Sequence, residues 1–352
     1  MRWPWKSTAS KDQFIVSWSG GAFAYVRARA NAQGLHTILQ MGVERQGDDS
    51  RDDFIHRLQG LGLKGLTAHV MLRPEQYQVL QIDAPPVAPE ELRSAARYQI
   101  KDMVNAHIDD ITLDVMQVGD GQQKGPAHMF VVAANNEIVR EVIALGDALH
   151  WTIPVIDIQE TAQRNLQSVL AQQEGRLDRA DAALLIADER QAMLTISANE
   201  ELFFTRRLDL PEGFLTMAWS GHASVGEAPA PDAYTPVAEY VPEYARNDVS
   251  PEADGGSGHG DSDRVQRFVV EVQRSLDLWD RTWSSMPLSG LRVYAGERST
   301  ELASWLGREV GQSVSAMDLM ARFPGLETAS PADQLYCLPL LGVLLRTETR
   351  KL

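Results

Sequence analysis

One cysteine, Cys337, is all that 352 residues provide. An internal disulfide and any Cys-x-x-Cys metal or redox motif are thereby excluded, and a reducing compartment fits this usage. A basic surplus is also missing: 33 Lys and Arg face 48 Asp and Glu, a formal net charge of −15. That balance argues against a general nucleic-acid binder, because a phosphate backbone rewards a basic face. No apolar run approaches the ~18 residues needed to cross a bilayer. The opening MRWPWKSTASKDQ lacks the apolar stretch of a secretory signal, so none is expected. His-x-Glu, His-Glu-x-x-His and Gly-x-Ser-x-Gly motifs are absent from any supporting context.

What is present is globular in character, with 44% hydrophobic and 23% charged residues. The length suits two domains or one two-lobed domain. The acidity is local: between Glu212 and Asp263 ten acids face one base, Arg246. This tract also has five prolines from Trp219 onward. Its composition does not bury enough apolar area to offset chain entropy, so a disordered insertion at about 219–263 is expected. Residues 1–11 read as a flexible tail; Arg2, Trp3, Trp5, Lys6 and Lys11 would also suit an anionic membrane surface.

Periodicity organises the rest. Three β-rich runs (Phe14–Ser19, Ala22–Ala28, Leu35–Val43) predict an antiparallel meander, followed by a helix from Asp49-Ser50 to about Leu61. Strands are expected at Leu66–Leu72 and Tyr77–Asp83. A helix then starts at Pro89-Glu90-Glu91, where the paired acids are explained by compensation of the helix dipole. Its stripe is Leu92, Ala95, Ala96, Gln99, Ile100 and Met103. Two strands around Gly119–Gly125, a helix at Glu137–His150, a strand at Ile153–Ile158 and a helix at Glu160–Gln173 complete the first half. Beyond the polar stretch Glu174–Asp181 the cadence of three β-rich runs recurs at Ala182–Ala187, Ala192–Ala198 and Leu202–Asp209, without a residue-level repeat. Helices at Arg264–Trp283, Ser299–Val310 and about Leu335–Arg346, with strands at Leu291–Tyr294 and Gln312–Ala316, follow.

The stretches QYQVLQIDAPPVAPEELRSAARYQIKDMV, FVVAANNEIVREVIALGDALHWTIPVIDIQETAQRNL, FFTRRLDL, VVEVQRSLDLW and LPLLGVLLR carry a family likeness. In them the chain resembles the PilM-like pilus-assembly family, nearest its MSHA-pilus (MshI) branch. The resemblance implies an α/β, actin-like ATPase (ribonuclease H-like) fold. Its first lobe would be 12–175, with an inserted β-α-β subdomain at about 66–155, and its second lobe 176–352. It also implies a cytoplasmic protein at the inner face of the bacterial inner membrane. A groove in the first lobe would receive the cytoplasmic N-terminal segment of a membrane-anchored, PilN-like partner, and the assembly ATPase is a second candidate partner.

An actin-like cleft binds nucleotide through two glycine-containing turns and an acidic residue that holds Mg²⁺. In the first turn here, Ser17 stands at the acidic position, Ser19 at a glycine and Ala24 at a lysine, with only Gly20, Gly21 and Ala22 kept. In the second, Ile186 takes the acidic position and Asp188 and Glu189 occupy the bend; Gly296 is what remains of a glycine pair. A degenerate cleft is therefore expected, with no cofactor and no enzymatic activity; Asp188 and Glu189 are read as solvated surface rather than metal ligands. The alternative is an ATP-binding switch or weak ATPase of the same machine. A sugar-kinase-like transferase would need a catalytic Asp across the cleft, and no residue is assigned that role. For the partner, Phe23 and Tyr25 on the second strand and Arg97, Tyr98 and Lys101 on the inserted helix are the candidates. His107 with Asp109 and Asp110 reads as a helix end and polar turn, and His259 as part of the acidic tract. Arg206 and Arg207 read as a salt-bridging pair at the lobe interface, and Trp279 and Trp283 as core.

Overall fold

A computed structural model describes residues 12–31, 34–119, 127–219 and 257–347. The expected N-terminal tail, the glycine-rich turn beyond Gly119 and most of the acidic insertion lie outside the described residues. Strands β1 (Asp12–Ser19), β2 (Ala22–Ala30) and β3 (His36–Arg45) form the meander. At the first hairpin Gly20 and Gly21 have φ of 56° and 74°, a left-handed pair that a tight hairpin demands. Helix α1 (Arg51–Gly60) is capped by Ser50, whose Oγ accepts from Asp53 N at 3.2 Å, and it buries Phe54 and Leu58. β4 (Thr67–Leu72) runs parallel to β1, and β8 (Thr152–Ile158) parallel to β4, giving the order β3-β2-β1-β4-β8.

Between β4 and β8 lie β5 (Tyr77–Asp83), α2 (Leu92–Ile100), β6 (Ile111–Gln117), β7 (His128–Asn135) and α3 (Asn136–Ala148). The three strands form their own sheet, β5-β7-β6. The inserted subdomain is thus narrower than 66–155: β4 is hydrogen-bonded on both sides within the central sheet, and β8 closes that sheet. On α2, Ala96 and Ile100 are buried, whereas Met103 is 48% exposed, because the helix ends at Ile100 and Met103 leaves the stripe.

The second half repeats the plan. After α4 (Gln159–Gln173) come β9 (Ala180–Ile186), β10 (Gln191–Ala198) and β11 (Glu201–Asp209). Then follow α5 (Ser257–Thr282), β12 (Leu288–Tyr294), α6 (Ser299–Val310), β13 (Val314–Ala316) and α7 (Pro331–Leu344). Its sheet order, β11-β10-β9-β12-β13, is again a meander continued by two parallel strands. Two such lobes are the actin-like ATPase fold. The expected insertion is shorter at both edges. Trp219 is 2% exposed, with its ring 5.3 Å from Phe214 and 6.3 Å from Trp305, and α5 begins at Ser257, ahead of Arg264.

The lobes exchange helices. α4 covers β9, β10 and β11, while α7, expected in the second lobe, covers β1 to β4. Leu338, Leu340, Leu341, Val343 and Leu344 of α7 are all buried, as befits a helix that is apolar all round. One apolar cluster joins them to Ile15, Ala24 and Met71 of the first sheet and to Ala183 and Leu185 of the second. A second junction joins the subdomain to β11: Gly119 N donates to Leu202 O at 2.8 Å, beside buried Val118 and Phe130.

An ion-pair knot fixes α4 to the second sheet. Arg292, 6% exposed, donates to Asp181 Oδ2 at 2.6 Å and to both oxygens of Glu174 at 2.8 and 2.7 Å. Hydrogen bonds from Arg292 hold the Glu174 carboxyl down at about 2, below its usual 4.5; burial pushes Asp181 the other way against its pairing with Arg292. A carboxylate with a lowered pKa contributes stability above its unfolded value and loses it as the pH falls through the folded one. Urea melts should therefore show a Glu174-dependent loss between pH 4.5 and about 2, which Glu174→Gln flattens. An acid limb unchanged by the substitution refutes this.

Candidate functional site in the interlobe cleft

The segment Arg73–Tyr77, which runs from the end of β4 into the first residue of β5, is where the cleft closes. Arg73 is 3% exposed and Ser17 1%. Arg73 Nε donates to Ser17 Oγ at 3.1 Å and Nη2 to Tyr336 O of α7 at 2.8 Å, with the guanidinium 3.9 Å from the Tyr336 ring centre. Gln76 fixes the bend: its Oε1 accepts from Arg73 N at 2.8 Å and its Nε2 donates to Trp18 O at 2.8 Å. Ser19 Oγ donates to Glu75 Oε1 at 2.5 Å, so a carboxylate covers the first glycine turn.

From the other lobe, Arg207 on β11 reaches the same segment. Its Nη1 donates to Pro74 O and, at 3.3 Å, to Tyr77 O; its Nη2 donates to Glu160 Oε1 at 3.0 Å. Glu160, 1% exposed at the start of α4, accepts a second bond from the Tyr77 hydroxyl. The Tyr77 oxygen in turn accepts from Gln159 N at 3.1 Å. Burial first, and the Glu160 carboxylate second, push the Tyr77 phenol well above its ordinary pKa, so it stays a donor.

The second turn is self-contained. Asp188 Oδ1 accepts from Arg190 N at 2.7 Å and Gln191 N at 3.0 Å, an Asx-type closure. Glu189 is exposed and Ile186 fully buried. Gly296, with φ of 61°, leads into α6, its carbonyl accepting from Ser299 Oγ at 2.6 Å. Among the described residues no hydrogen bond or ion pair joins Asp188, Glu189 or Gly296 to the first turn.

These residues do not fit a magnesium nucleotide. Ser17 brings a neutral hydroxyl already engaged by Arg73 to the position of an acidic metal ligand. Glu75, Asp188 and Glu189 put negative charge at the two turns. Each carboxylate facing a phosphate charge at about 4 Å costs roughly 4 kcal/mol at an effective dielectric of 20. Arg73, Glu75, Gln76, Tyr77 and Glu160 are cleft residues that sequence reasoning missed; the only local signal was a short, charged, proline-containing connection, Arg73–Gln76, between two apolar strands.

The other candidates divide. Phe23 and Tyr25 are not a surface: they are 0% and 5% exposed, and the Phe23 ring lies 5.9 Å from Trp151 and 5.8 Å from Tyr25. β2 is covered on both faces, by α7 over Ala24 and Val26 and by the cluster of Phe54, Leu58 and Trp151 over Phe23 and Tyr25. Arg97 is structural, donating to Ile108 O and Ile111 O at 2.5 and 3.1 Å. Tyr98, by contrast, is 73% exposed, with Lys101 Nζ 4.8 Å from its ring centre. The neighbouring Gln99 and Met103 line a cavity of about 500 Å³ with Gln81, Ile82, Asp83 and His128. β5, which supplies three of those residues, is the end strand of its sheet.

Arg207 does bridge the lobes, but Arg206 pairs within its own lobe, with Glu271 and, at 3.2 Å, Ser275 Oγ. Trp279 is core, at 1% exposure, and stacks on Trp283 at 5.4 Å. His107 accepts from Asp109 N at 3.4 Å as an exposed helix cap. Cys337 is buried, its thiol pushed up to about 12 by desolvation and hence unreactive.

No protein-family model matches the sequence, and no curated protein is similar enough to stand as a relative. Among solved structures, a chain of a PilM-PilN type IV pilus biogenesis complex superposes with a TM-score of 0.63 at 14% identity, over 96% of this chain and 99% of that one. A weaker likeness, TM-score 0.40 at 14% identity over 56% of this chain and 71% of that one, is to the cytoplasmic domain of EpsL, an inner membrane component of the type II secretion system of Vibrio cholerae. A Bacteroides thetaiotaomicron protein with an actin-like ATPase fold and unknown function gives 0.45 at 8% identity, over 92% and 97% of the two chains. What the chain shares with PilM at this identity is the actin-like fold, along nearly the whole length of both.

Proposed function

We propose that this chain is a non-enzymatic scaffold of type IV pilus biogenesis, of the MSHA (MshI) type, at the cytoplasmic face of the inner membrane. It docks the cytoplasmic N-terminal segment of a membrane-anchored, PilN-like protein, and its place at the membrane comes from that partner. The observation that carries this reading is the cleft itself. Arg73 and Arg207 tie the lobes together through protein groups, in a fold similar to one solved as a PilM-PilN complex. The fold is thus held without the groups a nucleotide would need, which favours a binding role over turnover.

The docking surface in this reading is the cavity between α2 and the free edge of β5, flanked by Tyr98 and Met103. An extended segment there gains backbone hydrogen bonds along β5 and apolar contact with Met103. Tyr98→Asp with Met103→Asp should weaken binding of the partner's N-terminal peptide about tenfold or more, while the melting temperature stays put, since both side chains are exposed. Peptide affinity unchanged in that folded double variant overturns the location.

The ATP-switch reading is tested separately. A ligand held only by the native state adds RT ln(1 + [L]/Kd) to stability. The scaffold reading expects no thermal shift with millimolar Mg-ATP; a saturable rise in melting temperature would favour the switch.

A further inference from the structure

We propose that the cleft between β11 and α5 is a second binding site, for a phosphate-bearing ligand, adjoining the interlobe cleft through Arg207 and separate from the docking cavity. It is a space of about 480 Å³ whose lining brings Arg206, Arg207, Arg264 and Arg267 together against two carboxylates, Asp209 and Glu271. Such a concentration of guanidinium groups runs against the background of a chain with a formal net charge of −15. The two carboxylates do not neutralise it. Glu271 is shared between two cations, Arg206 and, at 2.9 Å, Arg274, and the lining sets four guanidinium groups against two carboxylates.

The four arginines play different parts. Arg207 is committed to Glu160 and the Pro74 and Tyr77 carbonyls, and Arg206 to Glu271 and Ser275. Arg264 and Arg267 are exposed and make no ion pair among the described residues. Three residues apart on α5, they project from one face with their Cβ atoms about 5–6 Å apart. Like charges at that spacing repel, and an anion between them removes the penalty. Guanidinium forks match phosphate oxygens in pairs, which a lone ammonium does not. Buried Phe268 gives the space an apolar wall beside the arginines, so it accommodates an organic phosphate as well as an inorganic one.

The test uses the full chain and two probes, inorganic pyrophosphate followed by calorimetry and flotation with phosphatidylglycerol vesicles against phosphatidylcholine ones. Wild type should bind pyrophosphate saturably and more weakly as salt rises. Arg264→Gln with Arg267→Gln should lose about tenfold or more in affinity at an unchanged melting temperature. Lys101→Glu, in the other lobe, should bind as wild type does, and so should the Tyr98→Asp, Met103→Asp variant. Arginine-dependent flotation with phosphatidylglycerol assigns the phosphate to a lipid headgroup; pyrophosphate binding without flotation assigns it to a soluble ligand. Failure of both probes to bind, retention by the arginine double variant, or an equal loss in Lys101→Glu overturns the proposal.

Discussion

Arg207→Ala is expected to lower the unfolding free energy by about 3–5 kcal/mol, the usual consequence of removing one partner from a buried ion pair. The loss is large because the Glu160 carboxyl, 1% exposed, would be left with only the Tyr77 hydroxyl as partner, and because the Pro74 and Tyr77 carbonyls would lose their donor. Arg207→Lys should fall between, since an ammonium keeps the charge without the fork that spans Glu160 and two carbonyls. Combining Arg207→Met with Glu160→Gln should recover part of the loss by removing the stranded carboxylate. Hydrogen exchange supplies a second readout: amides of Arg73–Tyr77 should exchange faster in Arg207→Ala before global unfolding does. A urea midpoint and exchange pattern indistinguishable from wild type would show that the cleft is held elsewhere.

The second large effect concerns α7. A Cβ on Gly342 would lie 2.1 Å from Ala162 O and 2.5 Å from Ala162 C, atoms of the α4 backbone that no rotamer change can move. Gly342→Ala should therefore cost about 3 kcal/mol or more by forcing the two crossing helices apart. The sign is diagnostic, because helix propensity alone favours alanine by ~1 kcal/mol. Gly307 in α6 is the control: its added Cβ meets nothing closer than 3.5 Å, so Gly307→Ala should stabilise by ~0.5–1 kcal/mol. Chemical denaturation of the two variants separates the contributions, and a neutral Gly342→Ala would mean that the helix pair can slide.

Much of the architecture was legible because it is local. The alternation in Tyr77–Asp83 and the amphipathic period of Ser299–Val310 set those two elements at their observed bounds. The glycine pair at 20 and 21 marked the hairpin it makes. The recurring run of three strands pointed to two lobes of one topology. Errors came where a distant segment decides the environment. Phe23 and Tyr25 alternate with small residues as a half-exposed strand would, yet α7 arrives from more than three hundred residues away to cover one face of β2, while α1 and Trp151 close the other. Composition marked Trp219 as part of a disordered tract, but three aromatic rings, those of Phe214, Phe268 and Trp305, give it and its neighbours a core.

The candidate site follows the same division. The sequence by itself set which residues occupy the two short turns, with Ser17 and Ile186 at the positions where the resemblance implies acids and Gly20, Gly21 and Gly296 kept. Only the tertiary structure decided what surrounds them. Ser17, the Arg73–Tyr77 segment, Glu160, Arg207 and Tyr336 come from five separate places in the chain, and no period or spacing links those places. They meet because each lobe lends a helix to the other, which carries Tyr336 on α7 beneath Arg73 and Glu160 on α4 opposite Arg207. Local patterning fixes strands and helices through backbone sterics and the burial of one face. Which charge lies opposite which is set by how those elements pack, and that is not written in any one stretch.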